Sequence, residues 1–151
     1  MNRALERVAG VQRRVPFGVA LTFDDAASST LDALAELDAR ATFFLAVLDV
    51  GLVRHLRAAG HGVGWCTESA HDALTRLDGR VPRLHRPAVL PSSFVDAIRF
   101  RRRRLDAWLW SIDEAHLDDI RDRDVVRVTD DVDVERAVAT IRAKGLDLIA
   151  L

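Results

Sequence analysis

Val19-Ala20-Leu21-Thr22-Phe23-Asp24-Asp25 is the stretch on which the fold turns. Its first five residues are nearly all apolar and β-compatible, with no polar alternation. That pattern suits a strand buried on both faces, in a parallel sheet covered by helices. Two carboxylates follow where such a strand would emerge. In α/β folds, ligands and catalytic groups collect in the crevice at the carboxyl ends of the strands. Neighbouring carboxylates repel each other, so away from water the pair needs a cation, an arginine or a shared proton beside it. A plainer reading also stands: a strand end and a turn ahead of a helix start at Ser28-Ser29-Thr30.

Outward from this strand the chain alternates. Leu31, Leu34 and Leu37 form the apolar stripe of a helix packed on one side. Ala41 to Val47 reads as a second buried strand, Leu52 to Ala59 as a helix with Gly60 at its C-cap, and His61 to Cys66 as a third strand. Strand and helix in turn favour a parallel sheet with right-handed crossovers. Ala70 to Leu77 can make about two helical turns before the Asp78-Gly79 turn signal. Arg83 to Val89 reads as a strand leading into a Pro-broken loop, and Ser93 to Arg104 as a helix with Phe94, Ala97, Ile98 and Leu105 inward. Ala107 to Asp113 and Val125 to Asp130 are two more strands, Val134 to Lys144 is a helix closed by Gly145, and Leu148 to Leu151 is a last strand. Three strands therefore end in an acid: Asp24, Asp113 and Asp130. In a parallel sheet all three lie on one rim.

Composition narrows the function classes. With 151 residues, 49% hydrophobic and 30% charged, the chain is expected to form one globular domain over 15–151, with 1–14 as an arm or short helix. A net charge of -1 argues against broad nucleic-acid binding, and the Arg101 to Arg104 run reads as a solvated helix end. No apolar run approaches the ~20 residues of a membrane span. Cys66 is the single cysteine, and Met1 to Arg7 lacks the apolar core of a signal peptide, so a cytoplasmic location is expected.

The order of these segments resembles the polysaccharide deacetylase family, carbohydrate esterase family 4. Val19 to Asp25 is similar to its first motif, and Ala41-Thr42-Phe43-Phe44 to its second strand. Ala58 to Gly64 is similar to the lead-in to its metal-histidine motif. Arg86-Pro87 resembles its arginine motif, and Leu109-Trp110-Ser111-Ile112-Asp113 its late Trp-Ser-x-Asp strand. The resemblance implies a distorted, shortened (β/α) barrel of mostly parallel strands. It also implies metal-dependent amide hydrolysis that removes N-acetyl groups from chitin-like sugars or peptidoglycan. By the same token Asp24 would be the general base, Asp25 a metal ligand and Arg86 the partner that tunes the base, with Asp113 and Asp130 at the same site.

The metal and acid positions depart from that pattern. Cys66 and Ala70 stand where two ligating histidines would be, and His71 comes one place late. Thr129 holds the place of the general-acid histidine, and threonine is no acid near neutral pH. Ala26-Ala27 replaces the small Gly-Pro after the aspartate pair. Asp25, Cys66 and His71 could together hold zinc or another divalent metal, provided the loop after Cys66 carries one extra residue. His116 is a stand-in proton donor or an ordinary loop residue. His61 and His85 read as packing or hydrogen-bonding groups, and Trp65, Trp108 and Trp110 as core aromatics, of which one at the rim could stack a sugar ring.

Three readings stay open. The first is an inactive relative, without cofactor, that acts as a binding or interaction module for a carbohydrate or N-acetylated small molecule. The second is an amidase with a rebuilt metal site, and the third a metal-free activity on the same scaffold. The short stretches Ala70 to Pro82 and Glu114 to Asp124 leave room for few covering helices. A homodimer, a protein partner or the folded-back arm is expected to cover the strands there.

Overall fold

The computed structural model describes residues 2–129 and 131–151, apart from the side chains at 131 and 132. Eight strands make one sheet: β1 (Val19–Asp24), β2 (Thr42–Leu45), β3 (Gly62–Trp65), β4 (Leu84–His85), β5 (Asp106–Ala107), β6 (Ile112–Asp113), β7 (Val125–Arg127) and β8 (Leu148–Ile149). The spatial order is β5-β4-β3-β2-β1-β7-β6, with β8 paired to the first two residues of β1. Every pairing between these strands is parallel. The sheet curls into a shortened, distorted (β/α) barrel.

The helices are α1 (Arg3–Ala9), α2 (Ser28–Glu36), α3 (Val50–Ala58), α4 (Glu68–Asp78), α5 (Phe94–Arg102) and α6 (Asp131–Ala143). Side-chain caps start several of them: Asn2, Asp49, Thr67 and Ser93 each accept from a backbone N–H of the first turn. Among the described residues no helix is long and apolar enough to cross a membrane.

Alternation along each strand divides the core in two. Val19, Leu21 and Phe23 of β1 join Phe43, Leu34, Leu56, Leu74, Val126 and Ile141 in the layer between sheet and helices. Ala20, Phe44, Val125, Trp108 and Val15 fill the barrel interior. Burying one such large side chain contributes roughly 1.5–3 kcal/mol, so these two layers carry most of the stability. The interior is narrow. A Cβ at Gly64 would lie 2.8 Å from the Leu84 carbonyl and from the Phe44 ring, which explains why glycine occupies this strand.

The expected single strand Ala107–Asp113 is broken. Its first part, β5, pairs with β4, and its last part, β6, pairs with β7, so one short segment supplies both edges of the sheet. Residues 108–111 bridge the seam, where Trp108 N donates to His85 O and Ser111 N donates to Val125 O. The N-terminal arm completes the closure. Gln12 bridges to Trp108, Arg14 bridges to Asp124, and α1 packs on α5. Glu6, buried in α1, is held by Arg13 at 2.8 Å.

One further expectation changes. Phe94 is 60% exposed, because it opens α5 on the solvent side while Ala97 faces inward. Arg83 to Val89 gives the two residues of β4, and the chain then leaves the sheet at the expected Pro-broken loop. The Arg101 to Arg104 run is exposed at the end of α5.

Candidate functional site at the carboxyl rim

Parallel strands bring β1, β3, β4, β6 and β7 to one rim, and the chemistry gathers there. Asp24 ends β1 as its one exposed residue. Arg86, immediately after β4, is 4% exposed and reaches across the interior. Its Nη1 donates to Asp24 Oδ1 at 2.6 Å and its Nη2 to Thr22 Oγ1 at 2.6 Å. The guanidinium lies 4.2 Å from the centre of the Phe44 ring. Burial pulls the Arg86 pKa below its ordinary value, Asp24 opposes that pull, and Arg127 adds to it. Asp24 supplies the nearby negative charge that makes a buried guanidinium tolerable.

Asp25 adopts φ +96°, a left-handed conformation uncommon for a residue with a side chain, and its N–H donates to Phe44 O at 3.2 Å. Such backbone costs about 1–3 kcal/mol and tends to mark functional positions. Cys66 follows β3, with Sγ 3.6 Å from Phe44 O. Burial pushes its thiol pKa up, and the charges of Asp24 and Asp25 push it further, with Arg86 opposing. Asp24, Asp25, Cys66 and Arg86 thus form one electrostatic neighbourhood.

His71 does not complete a metal triad with Asp25 and Cys66. Among the described residues no three His, Cys, Asp or Glu side chains are grouped as metal ligands. The reason lies in helix phase. Thr67 caps α4, so the helix begins at Glu68 and the loop after Cys66 gains no extra residue. Ala70 then faces the core, fully buried, and His71 is rotated by about 100° from it. The His71 ring packs 4.7 Å from Trp65, and its Nδ1 meets Asp72 at 3.1 Å. Asp25 and Cys66 without His71 are too few convergent donors for a tightly held zinc ion.

Asp113 ends β6 in register with Arg127, and Arg127 is in register with Thr22 of β1. His116 Nδ1 lies 2.7 Å from Asp113 Oδ1. This contact holds the Asp113 carboxyl below its usual range and raises the His116 pKa. Asp130 lies outside the described residues. Thr129 donates to Glu114 Oε1 at 3.3 Å.

The sequence reading passed over Arg127. It sits on the interior face of β7, 4.2 Å from the Trp110 ring centre, with Glu114 4.0 Å away. An arginine two residues after interior Val125, inside an apolar strand, was the available signal. Beside the rim a cavity of about 450 Å³ is lined by Trp65, Cys66, His85, Pro87, Phe100 and Arg103, among others. His85 is buried there between Trp65, at 3.9 Å, and Phe100, at 5.9 Å, as a packing group with its Nδ1 unpartnered.

No family model matches the sequence, and no curated protein matches it. Solved structures do. A peptidoglycan N-acetylglucosamine deacetylase superposes with a TM-score of 0.76 at 18% identity, over 99% of this chain and 94% of its own. A family 4 carbohydrate esterase from Bacillus anthracis gives 0.74 at 18%, over 98% and 88%. The chitin deacetylase of the fungal pathogen Colletotrichum lindemuthianum gives 0.75 at 19%, over 94% and 89%. At these identities the likeness establishes the fold alone: this chain has the fold of the family 4 carbohydrate esterases, the polysaccharide deacetylases, in a shortened form.

Proposed function

We propose that the protein is a carbohydrate-binding member of this fold that does not carry out metal-dependent deacetylation. One observation carries the reading: Ala70 occupies the inward position of α4 and His71 turns away from Asp25 and Cys66. Thr129, bonded to Glu114, supplies no acid for a leaving amine. The neighbours named for chitin and peptidoglycan deacetylation support a polymer of N-acetylated sugar as the ligand. Association as a homodimer or with a protein partner, on the side of Ala70 to Pro82 and Glu114 to Asp124 where Val81 is exposed, belongs to the same reading, and sedimentation velocity tests it.

The decisive experiment pairs binding with turnover. Chito-oligosaccharides and peptidoglycan fragments are titrated into the protein, and acetate release is followed with and without added zinc or cobalt. Binding with no acetate above background is expected. Acetate release that Asp24→Asn abolishes would overturn the proposal in favour of a rebuilt amidase. In that second reading Asp24 is the base tuned by Arg86, and Asp25 and Cys66 are donors to a divalent metal. It is favoured by the closeness of Cys66 to both aspartates.

A further inference from the structure

Trp110 is surrounded by arginine. Arg13 Nη1 donates to its carbonyl at 2.6 Å, and the guanidiniums of Arg127 and Arg86 lie 4.2 Å and 5.5 Å from the centre of its ring. Arg13 and Arg86 differ from Arg127 in having acceptors. Arg13 is bound to Glu6, and Arg86 is bound to Asp24 and Thr22. Arg127 has no hydrogen-bond acceptor among the described residues. The nearest carboxylate oxygen among the described residues, Glu114 Oε1, is 4.0 Å away and accepts instead from Thr129.

The Nε atoms of both Arg86 and Arg127 are buried and unpartnered. A buried donor without an acceptor costs free energy, and more so on a charged group. Two like charges sharing one indole add repulsion, and Arg127 does act on Arg86 in this sense. The Arg127 side chain is 27% exposed, so a ligand can reach it. A planar guanidinium backed by an aromatic face is well shaped to take an oxyanion through two parallel N–H donors.

We propose that Arg127, with Arg86 behind it and Trp110 as its stacking face, is an oxyanion subsite that takes a carboxylate or phosphate group carried on a sugar. The sugar rests on the carbohydrate reading above, whereas the oxyanion rests on the arginines alone. Glu114 is the acid facing Arg127, with its Oε1 4.0 Å from Nη2. Its Oε2 is also buried without a partner, and an incoming oxyanion displaces it.

Calorimetry and tryptophan fluorescence on the full chain test this with glucuronate, glucose 6-phosphate, inorganic phosphate and neutral glucose. Saturable binding of at least one anionic sugar, with none of glucose at the same concentration, is expected. Glucuronate against glucose 6-phosphate decides between carboxylate and phosphate. Arg127→Leu should weaken binding about tenfold or more, Arg127→Lys less, and Glu114→Gln should tighten it. The two conservative variants keep the test decisive if Arg127→Leu does not fold. No anion binding to either the parent or Glu114→Gln, or anion binding indifferent to Arg127, overturns the subsite. Neutral chito-oligosaccharide binding with no anion effect would do so too while leaving the carbohydrate reading intact. Phosphate binding that Arg127→Leu weakens, with no sugar bound at all, keeps the oxyanion site and removes the sugar.

Discussion

Arg86 is nearly inaccessible, yet Asp24, its ion-pair partner at 2.6 Å, is 42% exposed at the side chain. The two ends of this pair therefore respond differently to substitution. Asp24→Ala leaves a buried guanidinium whose remaining acceptor is Thr22. Breaking a fully buried pair costs about 3–5 kcal/mol, and water at the Asp24 end reduces that. A loss of about 1–3 kcal/mol in urea unfolding is expected, with Asp24→Asn milder because its amide oxygen still accepts. An Asp24→Ala protein as stable as the parent would contradict the pairing.

His85 should make the protein sensitive to mild acid. Burial lowers its pKa from 6.5 to about 4, with Arg103 and His71 adding to the effect. As pH falls below 6.5 the unfolded chain takes up this proton before the folded one does. Stability is thus intact above 6.5 and is lost progressively from there down to about 4. His61, also lowered by burial, acts in the same sense. His85→Phe should keep the stacking on Trp65 and remove part of the slope, about 1–3 kcal/mol between pH 7 and 4. Chemical denaturation of both proteins at pH 7, 5.5 and 4 measures it.

The His116–Asp113 contact should show the opposite sign at its histidine. His116 has a raised pKa, so its contribution is complete below 6.5 and disappears as pH rises through the folded value. Asp113, held low, contributes above 3.8 and loses this as pH falls through its own folded value. An NMR titration should place His116 above an exposed histidine, and Asp113→Asn should return it toward 6.5.

Cys66 should be a slow thiol. Its raised pKa leaves little thiolate at neutral pH, so iodoacetamide should react more slowly than with a free cysteine peptide. Asp24→Asn should speed the reaction by removing one of the charges that oppose ionisation. Zinc should give no protection if Asp25, Cys66 and His71 do not ligate it. Protection at stoichiometric zinc would support the rebuilt site.

Gly64→Ala should destabilise the barrel by about 1–3 kcal/mol, because the new Cβ meets a backbone carbonyl as well as the Phe44 ring. Gly79→Ala provides a contrast, since nothing lies within 4 Å of its Cβ position. Its cost comes only from φ +65°. Thermal melts of the two variants separate crowding from backbone strain.

What was legible in the sequence follows from where burial is two-sided. β1 and β2 announce themselves because helices cover one face and the barrel interior fills the other. Ala107 to Asp113 misled because an apolar run carries no mark of which neighbour each residue will pair with; its ends bond to His85 and Val125 on opposite edges. Arg86 was readable as the cation for a rim aspartate, Asp24, Asp113 or Asp130, and only the family resemblance pointed to Asp24, which it meets at 2.6 Å. The position of His71 was not readable, because it depends on Thr67 capping α4 and so setting the phase of the whole helix. Arg127 was hidden by its apolar neighbours, and only its two-residue spacing from interior Val125 marks it.

The seam has a consequence for solubility. Sheet edges expose unpaired backbone that can recruit strands from other molecules. Here β5 and β6 are each two residues long, and the peptide groups between them are already engaged by His85, Gln12 and Val125. A foreign strand therefore finds no run of free N–H and C=O groups to extend. That protection depends on the arm, because Leu109 N donates to Gln12 O. Peeling residues 2–14 away would turn a closed surface into a template for aggregation.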